Sequence, residues 1–452
     1  MENDQSKLFK KYDVPAPRYT SYPTVPYWSE PPTRAQWIEQ LNLGLKPAQS
    51  SWSMYVHIPF CETLCTFCGC NTSITKDHKR ESPYVTRVLK EREAYLKSAP
   101  DLIKRPLVNM HLGGGTPTFL SASELDRLVG GLLQGLTKDP RGFEGSIEID
   151  PRRTTPEQLE VLRKHGFNRV SLGVQDFDPE VQRLVNRIQP FDQTQSIAVA
   201  ARKLGYESVN FDLIYGLPKQ TLATTKTMIQ RTLELRPDRI ALYSFALVPW
   251  IKPAQRLFKD EDLPAGPEKR ALYEYARGAL LAAGYVEIGM DHFALPADGL
   301  AKAASNGTLH RNFMGYSDVR TDILLGLGVS SISEAPGCFH QNEKVLPVYE
   351  EAVDLGEIPT FRGHLLSDED RAHREQILRL MTKFEVELQS DEQVADVKSF
   401  LRELIEDGLV SISGRRLIMS DNGRPFLRNA CMSLDARLRA KAPDARIFSM
   451  SV

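Results

Sequence analysis

The chain has 452 residues, 41% of them hydrophobic and 25% charged, with a formal net charge of −1. That length supports a large core and two or three domains, and the neutral balance excludes the electrostatic footprint of a nucleic-acid or anionic-membrane binder. No apolar run approaches a membrane span and the start, MENDQSKLFKKYD, is polar rather than signal-like, so a cytoplasmic protein without a membrane span is expected.

Residues 1–50 read as an N-terminal arm and a short helix. In PAPRYTSYPTVPYW the prolines favour an extended path, which taken alone is a linker. RAQWIEQLNL, at 34–43, has the look of a short surface helix. From residue 51 the chain alternates short apolar runs with helical patterns, the signature of βα units around a parallel sheet. The expected strands are Met54 to Phe60, Leu107 to Leu112, Ser146 to Asp150, Arg169 to Gln175, Ser208 to Ile214 and Arg239 to Leu247. Between them the pattern predicts helices over Pro83 to Ser98, Ala122 to Leu136, Pro156 to His165, a pair between Pro179 and Leu204, and Leu222 to Leu235. Six units fit an incomplete (β/α)6 barrel, in which functional residues gather at the carboxyl ends of the strands.

The first strand runs into Cys61, Cys65 and Cys68, spaced C-x3-C-x2-C. Thiolates this close can wrap one metal centre, and three on a four-iron cubane leave one iron open to a small chelating molecule. A closed zinc site is the alternative, with Cys70 as fourth ligand, but no second C-x2-C unit is present. Cys338 and Cys431 are scattered, which argues against a disulfide framework.

With Phe67 before the last cysteine, this motif resembles that of the radical S-adenosylmethionine enzymes. YVHIPFC before it and Gly69 and Cys70 after it are similar to the oxygen-independent coproporphyrinogen III oxidase family, and RYTSYPT, GGGT, GMDHFA and RNF-x-GY extend the resemblance over nearly the whole chain. The resemblance implies a radical-SAM-type α/β barrel over 51–340, a 4Fe-4S cluster on Cys61, Cys65 and Cys68, and S-adenosyl-L-methionine on the open iron. It implies the anaerobic oxidative decarboxylation of coproporphyrinogen III to protoporphyrinogen IX in haem biosynthesis, begun when a 5′-deoxyadenosyl radical takes a hydrogen from a propionate β-carbon. The partners that follow are the porphyrinogen substrate and a reductase or flavodoxin-type electron donor, with a monomeric enzyme.

Residue by residue, the resemblance places Tyr55 and Phe67 against the cofactor, and the backbone of Gly114, Gly115 and Thr116 at its amino-acid end. Glu148, Gln175, Arg187 and Asp212 would bind its polar groups, and Ala246 and Ile332 would add contacts. Each polar residue taken singly could also cap a strand or make a surface salt bridge. His57 is carried as a catalytic candidate near cofactor or substrate. Cys70 is a redox or proton donor beside the substrate, or a structural thiol. Arg18, His292, His310 and Arg311 are candidates to face the polyanionic substrate, or are solvated surface charges. Two positions depart from the family pattern: Leu247 replaces a histidine and Met314 a glutamine.

The stretch from about 285 to 333 reads as a long glycine-rich loop that must line something. Residues 341–452 read as a mainly helical, winged-helix-like domain, with a hairpin through SGRR, that closes over the barrel mouth. Arg415 and Arg416 there could touch phosphate, but the neutral balance argues against a DNA role. Two rival functions keep the cysteine loop. One is a haem-handling chaperone, whose kind usually lacks Cys70 and the RYTSYPT arm; the other is a radical enzyme acting on another substrate.

Overall fold

The computed structural model describes residues 4–28, 31–250, 252–441 and 447–451; residues 1–3 of the arm, 29–30, 251, 442–446 and 452 lie outside the described residues. Helix α1 (Asp4–Tyr12) occupies much of the polar start of the arm, before the proline-rich segment expected to be extended. α2 (Arg34–Leu45) is not a surface helix: Trp37, Leu41 and Leu45, one turn apart on one face, are fully buried in the main core. The proline-rich segment between them is tied down rather than free. Tyr19 and Tyr22 are buried among C-terminal residues, Arg428 Nε donates to the Pro17 carbonyl at 3.0 Å, and Asn429 Nδ2 to that of Tyr12 at 2.9 Å.

Six parallel strands stand side by side in chain order: β1 (Trp52–Ile58), β2 (Leu107–Gly114), β3 (Glu144–Ile149), β4 (Phe167–Gln175), β5 (Ser208–Tyr215) and β6 (Arg239–Ser244). Parallel neighbours need crossovers, supplied by α3 (Glu81–Ser98), α4 (Ala122–Leu133), α5 (Pro156–Lys164), the pair α6 (Pro179–Leu184) and α7 (Phe191–Lys203), and α8 (Leu222–Leu235). The strands alternate in character. Met54, Val56, Met110, Leu112, Val170, Leu172, Phe211 and Leu213 are buried in the core with the helices. The residues between them, Asn109 and His111, Ser146 and Glu148, Arg169 and Ser171, Asn210 and Asp212, Arg239 and Tyr243, line one internal cavity. A period of two thus puts apolar side chains under the helices and polar ones inside the barrel.

The sheet does not stop at six strands. After α9 (Gly266–Ala282), β7 (Val286–Gly289) and β8 (His292–Ala294) extend it antiparallel beyond β6. α10 (Gly299–Asn306) and a hairpin of β9 (His310–Asn312) and β10 (Gly315–Ser317) follow. β11 (Ile323–Leu327) then returns to lie parallel to β1, from Trp52 opposite Ile323 to Val56 opposite Leu327. β12 (Ile332–Ala335), β13 (Cys338–Gln341) and, after α11 (Leu346–Asp354), β14 (Arg362–Leu365) complete that edge. The expected long loop is therefore mostly regular structure, short strands and the helix α10, and a division at 340 falls inside the main sheet.

The C-terminal lobe begins with α12 (Asp368–Lys383), followed by β15 (Glu385–Glu387), α13 (Asp391–Phe400) and α14 (Arg402–Glu406). β16 (Val410–Ser413) and β17 (Arg416–Met419) form the hairpin through SGRR, with β15 on its other edge. The lobe has its own core, which it shares with the N-terminal arm. No helix among the described residues is long and apolar enough to cross a membrane.

Candidate active site

The cysteine loop leaves the end of β1. Phe60–Cys61 pairs in parallel with Ser73–Ile74, which pinches its base. Neighbouring units hold its span: Thr66 N donates to the Val185 carbonyl at 3.1 Å, Asn186 Nδ2 to that of Leu64 at 2.8 Å, and Gln255 Nε2 to that of Phe67 at 3.2 Å. Cys61, Cys65, Cys68 and Cys70 all border the barrel cavity, about 500 Å³ in volume. Arg187 Nη1 lies 3.6 Å and Arg152 Nη2 3.7 Å from Cys65 Sγ, both within reach to donate. Thr116 Oγ1 stands 3.3 Å from Cys61 Sγ, and the Cys70 amide donates to Cys68 Sγ at 3.4 Å. A hydrogen bond from Cys70 brings Cys68 down to about 6 and pushes the Cys70 thiol well above its ordinary range. Burial pushes Cys61 up to about 11.

The glycine run packs directly on this loop. A Cβ at Gly115 would sit 2.6 Å from the Pro59 carbonyl oxygen, so only glycine allows the approach. Thr116 N then donates to the Phe60 carbonyl at 2.8 Å. Gly114 N donates to Glu148 Oε2 at 3.2 Å, and His111 Nε2 lies 3.3 Å from Glu148 Oε1. Burial alone would raise the Glu148 carboxyl; His111 and the Gly114 amide outweigh it and hold the group below its usual range. The exposed part of this side chain borders the cavity.

Gln175 ends β4 with φ +67, beside a register shift at Gly173. Left-handed backbone in a non-glycine residue costs on the order of 1 kcal/mol. Arg187 Nη2 donates to the Gly173 carbonyl at 2.6 Å and Nη1 to Asp150 Oδ2 at 3.2 Å, while its buried Nε has no partner. Asp212 accepts from Ser171 Oγ at 2.7 Å and Asn210 Nδ2 at 3.1 Å, and burial pushes its carboxyl up to about 6.

The cavity thus gathers Phe67, Gly114, Gly115, Thr116, Glu148, Gln175, Arg187 and Asp212 with the four thiols of the loop. Other expected site residues stand apart. Tyr55 and His57 do not line the cavity: the Tyr55 hydroxyl is 3.1 Å from His57 Nδ1, and His57 Nε2 is 2.9 Å from the Asn71 carbonyl. Burial lowers the His57 pKa, so its Nε2–H holds the far end of the loop. Ala246 and Ile332 also lie outside the lining, Ile332 packing near Trp28 and Phe339. Of the substrate candidates, His292 borders the cavity with Nδ1 held by Asp291 at 2.7 Å. Arg18 pairs with Asp291 on the other side and lines a smaller cavity. His310 is buried and lowered to about 4, and buried Arg311 donates to the Arg18 carbonyl at 3.2 Å; neither borders the main cavity. Arg152, Tyr243 and Tyr316 line it without having been singled out from sequence. For Tyr243 the signal was available, as it follows the alternation along β6.

Residues 55–232 match the Radical SAM superfamily. Over 443 residues the chain is 40% identical to the oxygen-independent coproporphyrinogen III oxidase of Pseudomonas aeruginosa, covering 95% of each. Over 444 residues it is 40% identical to that of Escherichia coli, covering 96% of each. The solved coproporphyrinogen III oxidase of E. coli, described as a radical SAM enzyme, superposes with a TM-score of 0.87 at 38% identity, covering 93% of this chain and 97% of that one. This chain belongs to the oxygen-independent coproporphyrinogen III oxidases.

The family's cofactors are a 4Fe-4S cluster and S-adenosyl-L-methionine, and the residues present fit both. Among the described residues no three His, Cys, Asp or Glu donors stand close enough for a single ion; the thiols instead face one cavity together. Amide, hydroxyl and guanidinium donors lie around them, as sulfurs of a cluster require. The unpartnered Arg187 Nε and the Glu148 and Asp212 carboxylates suit a ligand carrying a carboxylate, an ammonium and ribose hydroxyls. At the two departures from the family pattern, Met314 borders the cavity, whereas Leu247 packs in an apolar cluster with Phe67, Phe245 and Phe258.

Proposed function

We propose that this oxidoreductase catalyses the anaerobic oxidative decarboxylation of coproporphyrinogen III to protoporphyrinogen IX. One observation carries the reading: three thiols, an open glycine backbone and a ring of acceptors and donors share a single large cavity inside the barrel. When bound, the cluster and S-adenosylmethionine supply the electron and the hydrogen-abstracting chemistry. Cys61, Cys65 and Cys68 hold the metal, and Thr116, Arg152 and Arg187 donate to their sulfurs. The ionised Glu148 accepts the cofactor ammonium, Arg187 its carboxylate, and Asp212 and Gln175 its hydroxyls. Phe67 packs on it. Tyr55 and His57 act one layer back, by fixing Asn71 and with it the loop.

His292 presents the ring edge opposite its Asp291 contact to the substrate. Asp291 is held far below the carboxylate range, against the raising effect of burial, by Arg18 and then His292, so it stays ionised and fixes the orientation of the His292 ring toward the cavity. Cys70, beside the cavity, is placed to give a hydrogen or proton to the substrate. The N-terminal arm, packed with the C-terminal lobe, brings Arg18 against Asp291 of the barrel unit. The enzyme works as a cytoplasmic monomer supplied by a separate electron donor.

The test is anaerobic reconstitution with iron, sulfide and reductant, followed by S-adenosylmethionine and coproporphyrinogen III. Deoxyadenosine together with the two-carboxylate product is expected. Deoxyadenosine without that product would sink the substrate assignment, and a polypeptide that binds zinc without inorganic sulfide would sink the cofactor.

A further inference from the structure

The proposed reaction consumes an electron, which must enter through the protein surface. The cysteine loop is tied to segments outside the barrel cavity just after its last ligand. Cys70 itself borders the cavity, and its carbonyl accepts from Lys252 Nζ at 3.0 Å. Asn71 Nδ2 donates to the Lys344 carbonyl at 3.0 Å. The Lys344 ammonium lies over the Phe361 ring at 5.8 Å, and the Arg362 guanidinium over the same ring at 5.5 Å. Among the described residues none of these three cations makes a salt bridge. Glu343 adjoins Lys344 in sequence, and burial raises its pKa.

Phe361, under the Lys344 and Arg362 cations, is 43% exposed, and Val345, next to Lys344 in the chain, is 57% exposed, an apolar and cationic mix of the kind found at protein interfaces. None of Lys252, Lys344 and Arg362 lines the barrel cavity; Lys344 is exposed and Lys252 and Arg362 are half-buried, Arg362 being held by its Nε donating to Gln341 Oε1 at 2.6 Å. On a chain whose net charge is −1, such a cluster gives a local positive field.

We propose that Lys252, Lys344 and Arg362, with the exposed Phe361 and Val345, form the docking surface for a small acidic electron-carrier protein. The inference rests on the reading under Proposed function. One electron leaves the reduced flavin of the carrier and enters the oxidised cluster two residues from Cys70; no bond or proton is exchanged. Charge complementarity brings the carrier onto the surface, and the exposed ring seats it.

The test uses the anaerobically reconstituted holoprotein and reduced flavodoxin, an acidic flavoprotein, with bleaching of the cluster absorbance as readout. Lys252→Glu/Lys344→Glu is expected to slow reduction about tenfold or more at low salt, with the difference shrinking as salt rises. Lys344→Glu alone, which leaves the Cys70 contact intact, should give part of that loss. Reversal of the exposed, distant Lys302 and Lys398 should change little, and reduction by dithionite and the iron and sulfide content should be unchanged in every variant. Equal flavodoxin rates in wild type and double variant would overturn the proposal. So would an equal loss with dithionite, which would make the lysines supports of the loop, or a raised KM for coproporphyrinogen under dithionite, which would assign them to the substrate. A wild-type chain that assembles no cluster fails at the earlier reading, before any carrier is added.

Discussion

At the floor of the barrel, Arg239 Nε meets Asp298 at 2.6 Å and its Nη2 meets Asp318 at 2.8 Å, while Arg169 pairs with Glu144 at 3.0 Å. At the mouth, Arg187, between α6 and α7, keeps an unpartnered Nε, and the thiols of the cysteine loop border open space. The floor is built by inward polar residues of the strands, the mouth by the segments that follow them. Two cations facing three carboxylates close the floor on itself, whereas the mouth holds its bonding capacity for a ligand. The bottom of the barrel is stability machinery and the top is binding machinery.

Substitutions should separate the two ends. Cys65→Ser is expected to abolish turnover and iron retention while leaving the thermal midpoint of the apoprotein nearly unchanged; retained iron with full turnover would overturn the ligand assignment. Arg239→Leu leaves Asp298 and Asp318 buried without their cation and should cost about 3–5 kcal/mol in denaturant unfolding, with S-adenosylmethionine affinity of the folded fraction preserved.

Titration reaches a third region, the packing outside the cavity. Glu91 accepts from Gly328 N, Tyr349 and Asn342 at 2.8, 2.7 and 2.6 Å, and burial pushes both it and Asp176 up to about 7. Folding favours the protonated form of each, so that contribution is full below the ordinary carboxyl range and is lost as pH rises to about 7. Unfolding free energy should therefore fall by a few kcal/mol from about pH 4.5 to 7 and level off above. In Glu91→Gln the slope should flatten by that residue's share. The smallest effect is expected from Asp212→Asn, about a tenfold weaker affinity for S-adenosylmethionine, read by equilibrium binding, with the melting point little moved.

Much of this architecture was legible in the chain. The six strands and their helices stand close to where periodicity puts them, because each unit carries its own apolar run and turn. The cysteine spacing and the glycine run mark the mouth by residue order alone, since both meet strict local demands. What sequence could not supply were partners distant along the chain. DILLGLG reads as a loop because glycines interrupt it, yet its pairing with β1 makes it a strand. α1 hides in a polar stretch, and α2 looks exposed until β11 and β13 cover it. His57 follows the right strand, but only the position of Asn71 shows it gripping the loop from behind. The inward polar residues of the floor were visible as alternation, though their destination depended on closure of the sheet.

The insertion of β1 between an early and a late strand also sets the order of assembly. β2 is available once about a quarter of the chain has been made, but the opposite flank of β1 waits for residues 323–327. On the ribosome, the root of the cysteine loop is an unfinished edge while most of the protein emerges, and such non-local pairing is slow to form. Iron loaded before that late strand arrives would meet thiols hanging from a half-made support. Cluster delivery is therefore a task for the end of synthesis.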